Sequence, residues 1–233
     1  MAIYWTDQAN ENKPQHPSKT RAEWKSDDKC FKVWKKELKE QGKPKDEQYV
    51  KFDLPEEMII VAEWFSIGGF ISSLNTWVRS NEIFSFGEPF VVRKNDGSIW
   101  LTWDWNTIWE KVKSSGWKLL RNIHFATKDS LNLSTLQMGW AWSGAWRTAV
   151  KEWTLTPGTH TVKLKEIWEG KKGKIEWSYP IFENANPLTD DDRALQKAFA
   201  LELVQYGEEK AVQNMSKDDF EESSSTNDDE LPF

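Results

Sequence analysis

Apolar and polar positions along the chain change their spacing three times. From residue 20 to 42 the spacing is helical: Phe31, Trp34 and Leu38 lie three or four residues apart. Thr20-Arg21-Ala22-Glu23 has the spacing of a capping box, and Gly42 can stop the helix. A helix is therefore predicted there, behind a polar arm over residues 1–17 that contains Pro14 and Pro17. Its other faces carry Lys29, Lys32, Lys35, Lys36 and Lys39. Glu37 and Glu40 dilute that patch, so it reads as a solvated surface rather than a phosphate site. Cys30 falls on this helix as a packing residue.

From residue 48 to 186 the pattern turns to alternation and short apolar runs. Val50, Phe52 and Leu54 alternate, and Met58 to Phe65 is a short buried-type run. Gly68-Gly69 suggests a bulge or sharp bend before the strand-like run from Phe70 to Arg79. Asn95-Asp96-Gly97-Ser98 lies between Val91–Lys94 and Ile99–Trp105, and Asp-Gly supplies the positive φ of a hairpin turn. Thr107 to Ser115 reads as a short helix ending at Gly116, and Trp117 to Phe125 alternates again. Leu136 to Leu155, rich in Trp, reads as extended at least in part. His160–Glu169 and Lys174–Phe182 flank Gly170-Lys171-Lys172-Gly173 as a second hairpin with a basic tip. Pro180 places its last strand at an edge or near its end.

After Asn186-Pro187 the helical period returns. Thr189 to Asp192 start a helix with acidic residues at its positive end, and Leu195, Phe199 and Leu203 form a docking stripe. Beyond Val212 the core-forming residues run out, and Ser223 to Asn227 is a spacer. The expected division is an arm and helix over 1–47, a β-rich body over 48–186, a helix over 187–213 and a disordered acidic tail over 214–233. Short strands, a helix between them and long loops fit a mainly β fold, either a barrel of the oligonucleotide-binding type or a β-sandwich.

Charge sharpens this division. The formal net charge of −6 averages two unlike parts. Residues 1–189 hold 27 Lys or Arg against 24 Asp or Glu, whereas residues 190–233 hold 4 against 13. A mildly basic body with an acidic tail suits a nucleic-acid binder whose tail competes for its own groove. The single cysteine fits a reducing compartment. Neither a signal peptide nor an apolar run long enough to span a bilayer is visible, so a cytoplasmic protein without a membrane partner is expected.

The tail ends Asp228-Asp229-Glu230-Leu231-Pro232-Phe233. An aromatic ring, a free carboxylate and flanking acids make a detachable plug for a pocket with a basic rim. This tip resembles that of bacterial single-stranded DNA-binding proteins, which end in Asp residues followed by an aliphatic residue, Pro and Phe. Several bacteriophage proteins of the same function share the plan of a binding body with an acidic tail ending in Phe. Glu230 and Leu231 depart mildly from the pattern, and the resemblance covers only the tip and the character of the tail. It implies a non-enzymatic protein of a bacterial cell or phage-infected host that coats single-stranded DNA. Such a tail would recruit replication, recombination or repair proteins. It also adds weight to the oligonucleotide-binding barrel.

The chain holds 16 Trp, more than a surface could use, so most belong to the core. Strand alternation turns Ile99, Leu101, Trp103 and Trp105 one way and Trp100, Thr102 and Asp104 the other. Trp140 and Trp142 form a second same-face pair. Exposed indoles can stack on bases without regard to sequence. The groove candidates are Trp100, Trp103, Trp140 and Trp142, with Arg93, Lys94, Lys118, Arg121, Arg147, Lys163 and Lys165 tracking the phosphates.

His16, His124 and His160 show no metal-ligand spacing, so neither a metal nor a cofactor is expected. No phosphate-binding loop, nucleophile elbow or zinc-protease motif is present. Two other readings stay open: a Trp-rich carbohydrate-binding module, and an adaptor or recombination mediator that borrows the tail. Self-association is also left open. Deleting residues 218–233 is expected to leave DNA binding intact or tighter and to abolish partner recruitment. A pull-down of replication proteins with full-length and truncated chains checks this; unchanged recruitment removes the role of the tail.

Overall fold

The computed structural model describes residues 15–72, 75–128 and 132–222. The fold is mainly β. Among the described residues eleven strands form a nine-stranded sheet and a separate two-stranded one.

The N-terminal region departs from the expected helix. Ser18–Lys25 (β1) and Cys30–Trp34 (β2) form an antiparallel hairpin that pairs Ala22 with Val33 and Trp24 with Phe31. Trp24 and Phe31 meet edge to face, with ring centroids 5.0 Å apart. The alternating set of Ala22, Trp24, Phe31 and Val33 packs on the core, and that burial overrides the helical spacing and the capping-box signal. Helix survives only over Lys36–Glu40 (α1). Gly42 does stop it, at φ 75, with its N–H on Leu38's neighbour Lys39 and the next N–H on Leu38 itself. Tyr49–Phe52 (β3) then pairs with β2.

Ile59–Ile71 (β4) is the long strand of the sheet. It pairs with Lys118–Ala126 (β8) from Ile59 to Gly68, and its far end pairs with Thr76–Ser80 (β5). Neither the bulge nor the sharp bend predicted at Gly68-Gly69 is present, since the strand runs through both without a register shift. Gly69 serves close approach instead: a Cβ there would lie 2.7 Å from a Trp117 ring carbon and 3.0 Å from the Trp117 Cα. Phe90–Lys94 (β6) and Ile99–Trp103 (β7) form the predicted hairpin, with Gly97 at φ 90. Trp105–Ser115 (α2) is capped by Asp104, which accepts from the Thr107 N–H at 2.9 Å, and ends at Gly116 with φ 71.

Leu133–Met138 (β9) is followed by Trp140–Lys151 (α3), where the sequence suggested extended chain. Trp142 and Trp146 stand one helical turn apart and both pack on Phe182, so the effective spacing is four rather than two. His160–Lys172 (β10) and Ile175–Pro187 (β11) form the second hairpin, longer than predicted. An isolated antiparallel bridge from Met58, just before β4, to Val162 joins it to the large sheet. Asp190–Glu222 (α4) begins at a reciprocal cap between Thr189 and Asp192, as the sequence suggested, but runs past the expected end at 213 into the stretch read as disordered tail.

The sheet order is β3-β2-β1-β9-β8-β4-β5-β6-β7, with β1 inserted parallel to β9. Among the described residues no ladder joins β3 to β7. Ile60, Ile123, Phe125, Leu136 and Met138 project from one face onto Trp142, Trp146 and Phe182. Trp64, Ala126 and Leu133 belong to the opposite side, where Phe199 and Leu203 of α4 cover them. Because β8 is covered on both faces, alternation gives way to a continuous buried run from Arg121 to Ala126. A third core lies under α2, where Ile108 and Val112 meet Ile67, Phe90 and Val92. Among the described residues no helix is long and apolar enough to cross a membrane.

Replacing Gly69 by Ala drives a methyl into Trp117 backbone and ring together, so neither can yield alone. A loss of about 1–3 kcal/mol in urea unfolding is expected. A change below a few tenths would contradict the close approach.

Candidate nucleic-acid interface

The hairpin of β10 and β11 presents two unlike faces. Its register pairs Trp168 with Tyr179, Gly170 with Trp177 and Lys172 with Ile175, which puts all six on one face. The opposite face is tied to the body. There Ser178 exchanges hydrogen bonds with Ser26, its carbonyl accepts from Trp24 Nε1 at 2.8 Å, and Glu169 pairs with Lys29. The aromatic face is thus the one left open along its outer half, with Trp168 41% and Ile175 70% exposed. Trp168 stacks on Tyr179 at 4.9 Å and 27°, and lies 6.3 Å from Trp177. Gly170 makes this arrangement possible. A Cβ there would fall 2.4 Å from the Trp168 ring and 2.7 Å from the Trp177 ring.

Cations flank the rings. Gly173, at φ 63, turns the hairpin with Lys174. Lys171 pairs with Glu176. Among the described residues Lys165, Lys172 and Lys174 have no ion-pair partner, and all three are exposed. Lys165 occupies the bulge between Leu164 and Glu166.

A second exposed indole follows α3. The N–H groups of Trp153 and Thr154 bond back to Val150 and Ala149, closing the helix in the pattern that normally has glycine in the left-handed position. Here that position is Trp153, at φ 59 and 81% exposed. A bulky side chain in this conformation costs about 1–2 kcal/mol, with no compensating burial here. Arg147 and Lys151, one turn apart on α3, are both exposed.

The predicted DNA-binding residues are scattered. Trp142 is buried in the core, which removes it from any groove. Trp140 opens α3, and its side chain lies outside the described residues. Trp100 is the extra residue of a β-bulge and packs edge to face on Trp117 at 5.3 Å. Strict alternation along that strand is broken at this bulge and again at Trp105, which begins α2. Trp103 is half-buried under the Lys111 ammonium. Arg121 is buried, pairs with Glu63, donates to Ser143 Oγ and stacks over Phe65. Burial, then Arg147, lowers its guanidinium to about 10. Lys163 pairs with Glu183 at 3.3 Å. Lys94 is half-buried at the β6 turn, and Arg93 donates to the Gly97 carbonyl. Lys118, Arg147 and Lys165 are exposed, on β8, α3 and β10. The tail, Asp228 to Phe233, lies outside the described residues. The sequence reading missed Trp168, Trp177 and Tyr179, although their signal was present: Trp168-Glu-Gly170 and Trp177-Ser-Tyr179 each place two members at period two beside a basic turn.

Under α4 the fold gathers a buried polar network. Glu82 accepts from Arg21, from His16 Nε2 at 3.1 Å and from Asn122 at 3.0 Å. Burial would raise its carboxyl, but Arg21, the His16 hydrogen bond and His124 hold it well below the usual carboxylate range. The Thr135 hydroxyl donates to Ser18, so its oxygen receives the His124 Nδ1 proton at 2.9 Å and leaves His124 Nε2 bare, 3.8 Å from Glu82. Burial pushes His124 down to about 3. His16, Glu82 and His124 offer ligand atoms within 4.8 Å of one another, a metal-ligand constellation that sequence spacing concealed. The protons are arranged otherwise. His16 Nδ1 accepts from the Ser18 N–H, its Nε2–H is spent on Glu82, and Arg21 already neutralises that carboxylate. No protein-family model, curated protein or solved structure matches this chain.

The two shifts act in the same direction on stability. His124 is neutral in the fold, so the unfolded chain binds the extra proton between about pH 3 and its ordinary 6.5, and stability falls as pH drops through that window. Glu82 adds a further loss below its ordinary value of 4.5. The expected slope from His124 is on the order of 1 kcal/mol per pH unit below 6.5. Urea unfolding at pH 7.0, 6.0 and 5.0 checks it, and His124→Gln should flatten the profile between pH 6.5 and 4.5.

Proposed function

We propose that this protein binds single-stranded DNA without strong sequence preference. Bases stack on the outer face of the β10–β11 hairpin, on Trp168 and Trp177, and on Trp153. Phosphates follow Lys165, Lys172, Lys174, Arg147 and Lys151. The acidic tail then recruits replication, recombination or repair proteins. The observation that carries this reading is the open aromatic face of the hairpin, flanked by lysines without ion-pair partners. Every base offers a ring face, and the backbone supplies the charge those lysines lack. A barrel of the oligonucleotide-binding type is the finer reading of the body. It is supported by the order β4-β5-β6-β7, then α2, then β8 returning to β4 and followed by β9.

Oligosaccharide stacking is the second reading, because the same rings suit a sugar face. Salt separates the two: a neutral sugar releases no counterions.

Titration of intrinsic Trp fluorescence with oligo-dT is expected to give strong quenching that weakens as salt rises. Trp168→Ala and Trp177→Ala should each weaken binding by about 5- to 150-fold, the range for losing one stacked base. Trp153→Gly should also weaken binding while raising thermal stability, since it removes the left-handed strain. Quenching by oligosaccharide but not by oligo-dT would establish the second reading, and no response to either would favour an adaptor.

A further inference from the structure

A cleft of about 830 Å³ opens between α4 and the sheet, away from the aromatic hairpin. That volume suits a small molecule. Arg79 of β5 reaches into it. Its guanidinium has no ion pair among the described residues, and its Nη2 is buried without a hydrogen-bond partner. The sheet register sets Arg79 directly opposite Arg93 of β6, which lines the same cleft. Like charges opposite one another are unfavourable unless something lies between them. A third guanidinium, Arg21, is close enough to be the chief cause that lowers Arg79 to about 10, ahead of burial.

No carboxylate on the cleft wall forms an ion pair with Arg79 among the described residues, although Glu82 offsets part of its charge. Glu82 is taken by Arg21, His16 and Asn122, and Glu63 by Arg121. Glu88 accepts the Phe84 and Ser85 N–H groups. Glu208 is exposed on α4. An orphan buried cation is costly, and its natural complement is an anion from outside the chain. The remaining wall is apolar and partly aromatic: Trp64, Leu203, Val204 and Tyr206, with Phe84 67% exposed at the rim.

We propose that this cleft binds a small planar phosphate monoester, of the class of a nucleoside monophosphate. The phosphate sits against Arg79 and Arg93, and the ring system lies against Phe84 and Tyr206. The site is independent of the stacking face on the hairpin. It is built to retain one nucleotide unit, whether free or at the phosphorylated end of a strand.

The test uses the full chain, with dTMP as the probe and calorimetry and thermal shift as readouts. Wild type should bind dTMP and gain thermal stability from it. Arg79→Gln should melt higher without ligand, because the orphan charge is gone, and should lose dTMP affinity by about tenfold or more. Val204→Trp, a change at a half-exposed wall position, should block dTMP without affecting the fold. Trp168→Ala should leave dTMP binding unchanged while weakening oligo-dT, so the two sites fail separately. A 5′-phosphorylated oligo-dT that loses affinity in Arg79→Gln, beside an unphosphorylated one that does not, would assign the strand end as the source. An absent dTMP response, or one that Arg79→Gln leaves unchanged, overturns the proposal. So does inorganic phosphate binding as tightly as dTMP. A response in the cleft to the peptide Asp-Asp-Glu-Leu-Pro-Phe, with none to dTMP, overturns it as well and makes the cleft a seat for the chain's own tip.

Discussion

The architecture depends on one carboxylate. Glu82 lies on the segment after β5 and receives hydrogen bonds from the N-terminal segment, from β1 and from β8. It therefore clamps together parts of the chain that are 40 to 66 residues apart. The parallel insertion of β1 beside β9 sits directly over this clamp, and Tyr206 of α4 closes on His16 at 4.8 Å. Taking away Arg21 leaves the buried carboxylate without the cation that neutralises it, a loss of about 3–5 kcal/mol. Hydrophobic burial supplies the bulk of the folding energy, and Glu82 ties the N-terminal segment, β1 and β8 to one point.

That dependence explains what the sequence disclosed and what it withheld. Local features were legible: the Gly97 turn, α2 with Asp104 and Gly116 at its ends, the β10–β11 hairpin and the Thr189–Asp192 start of α4. Each is decided by residues within a few positions of one another. The expected N-terminal helix does not form because spacing along the chain is overridden at Phe31, which is held by Trp24 across a strand pair and by Trp142 from α3. The burial of Trp142 is concealed for the same reason, since Phe182 lies 40 positions away in sequence.

The aromatic site was half legible. Trp168, Trp177 and Tyr179 and the basic turn between them are plain in the sequence. Their value as a surface depends on Gly170, whose missing side chain admits two indoles at once, and on the opposite face being occupied by Ser26 and Lys29. Neither fact can be read from composition. Trp153 was hidden differently. Only backbone geometry shows that it stands where glycine would be easier.

The parallel pairing of β1 with β9 also constrains how the chain is made. Ser18 must wait for Leu133 and its neighbours before it finds its seat. At ribosomal rates of about 5–20 residues per second, that interval is roughly 5 to 20 s. Throughout it the β1–β2 hairpin carries Trp24 and Phe31 without Trp142, which packs on both in the finished fold. The nascent polypeptide is thus most vulnerable to self-adhesion in mid-synthesis, and its first strand is among the last to become native.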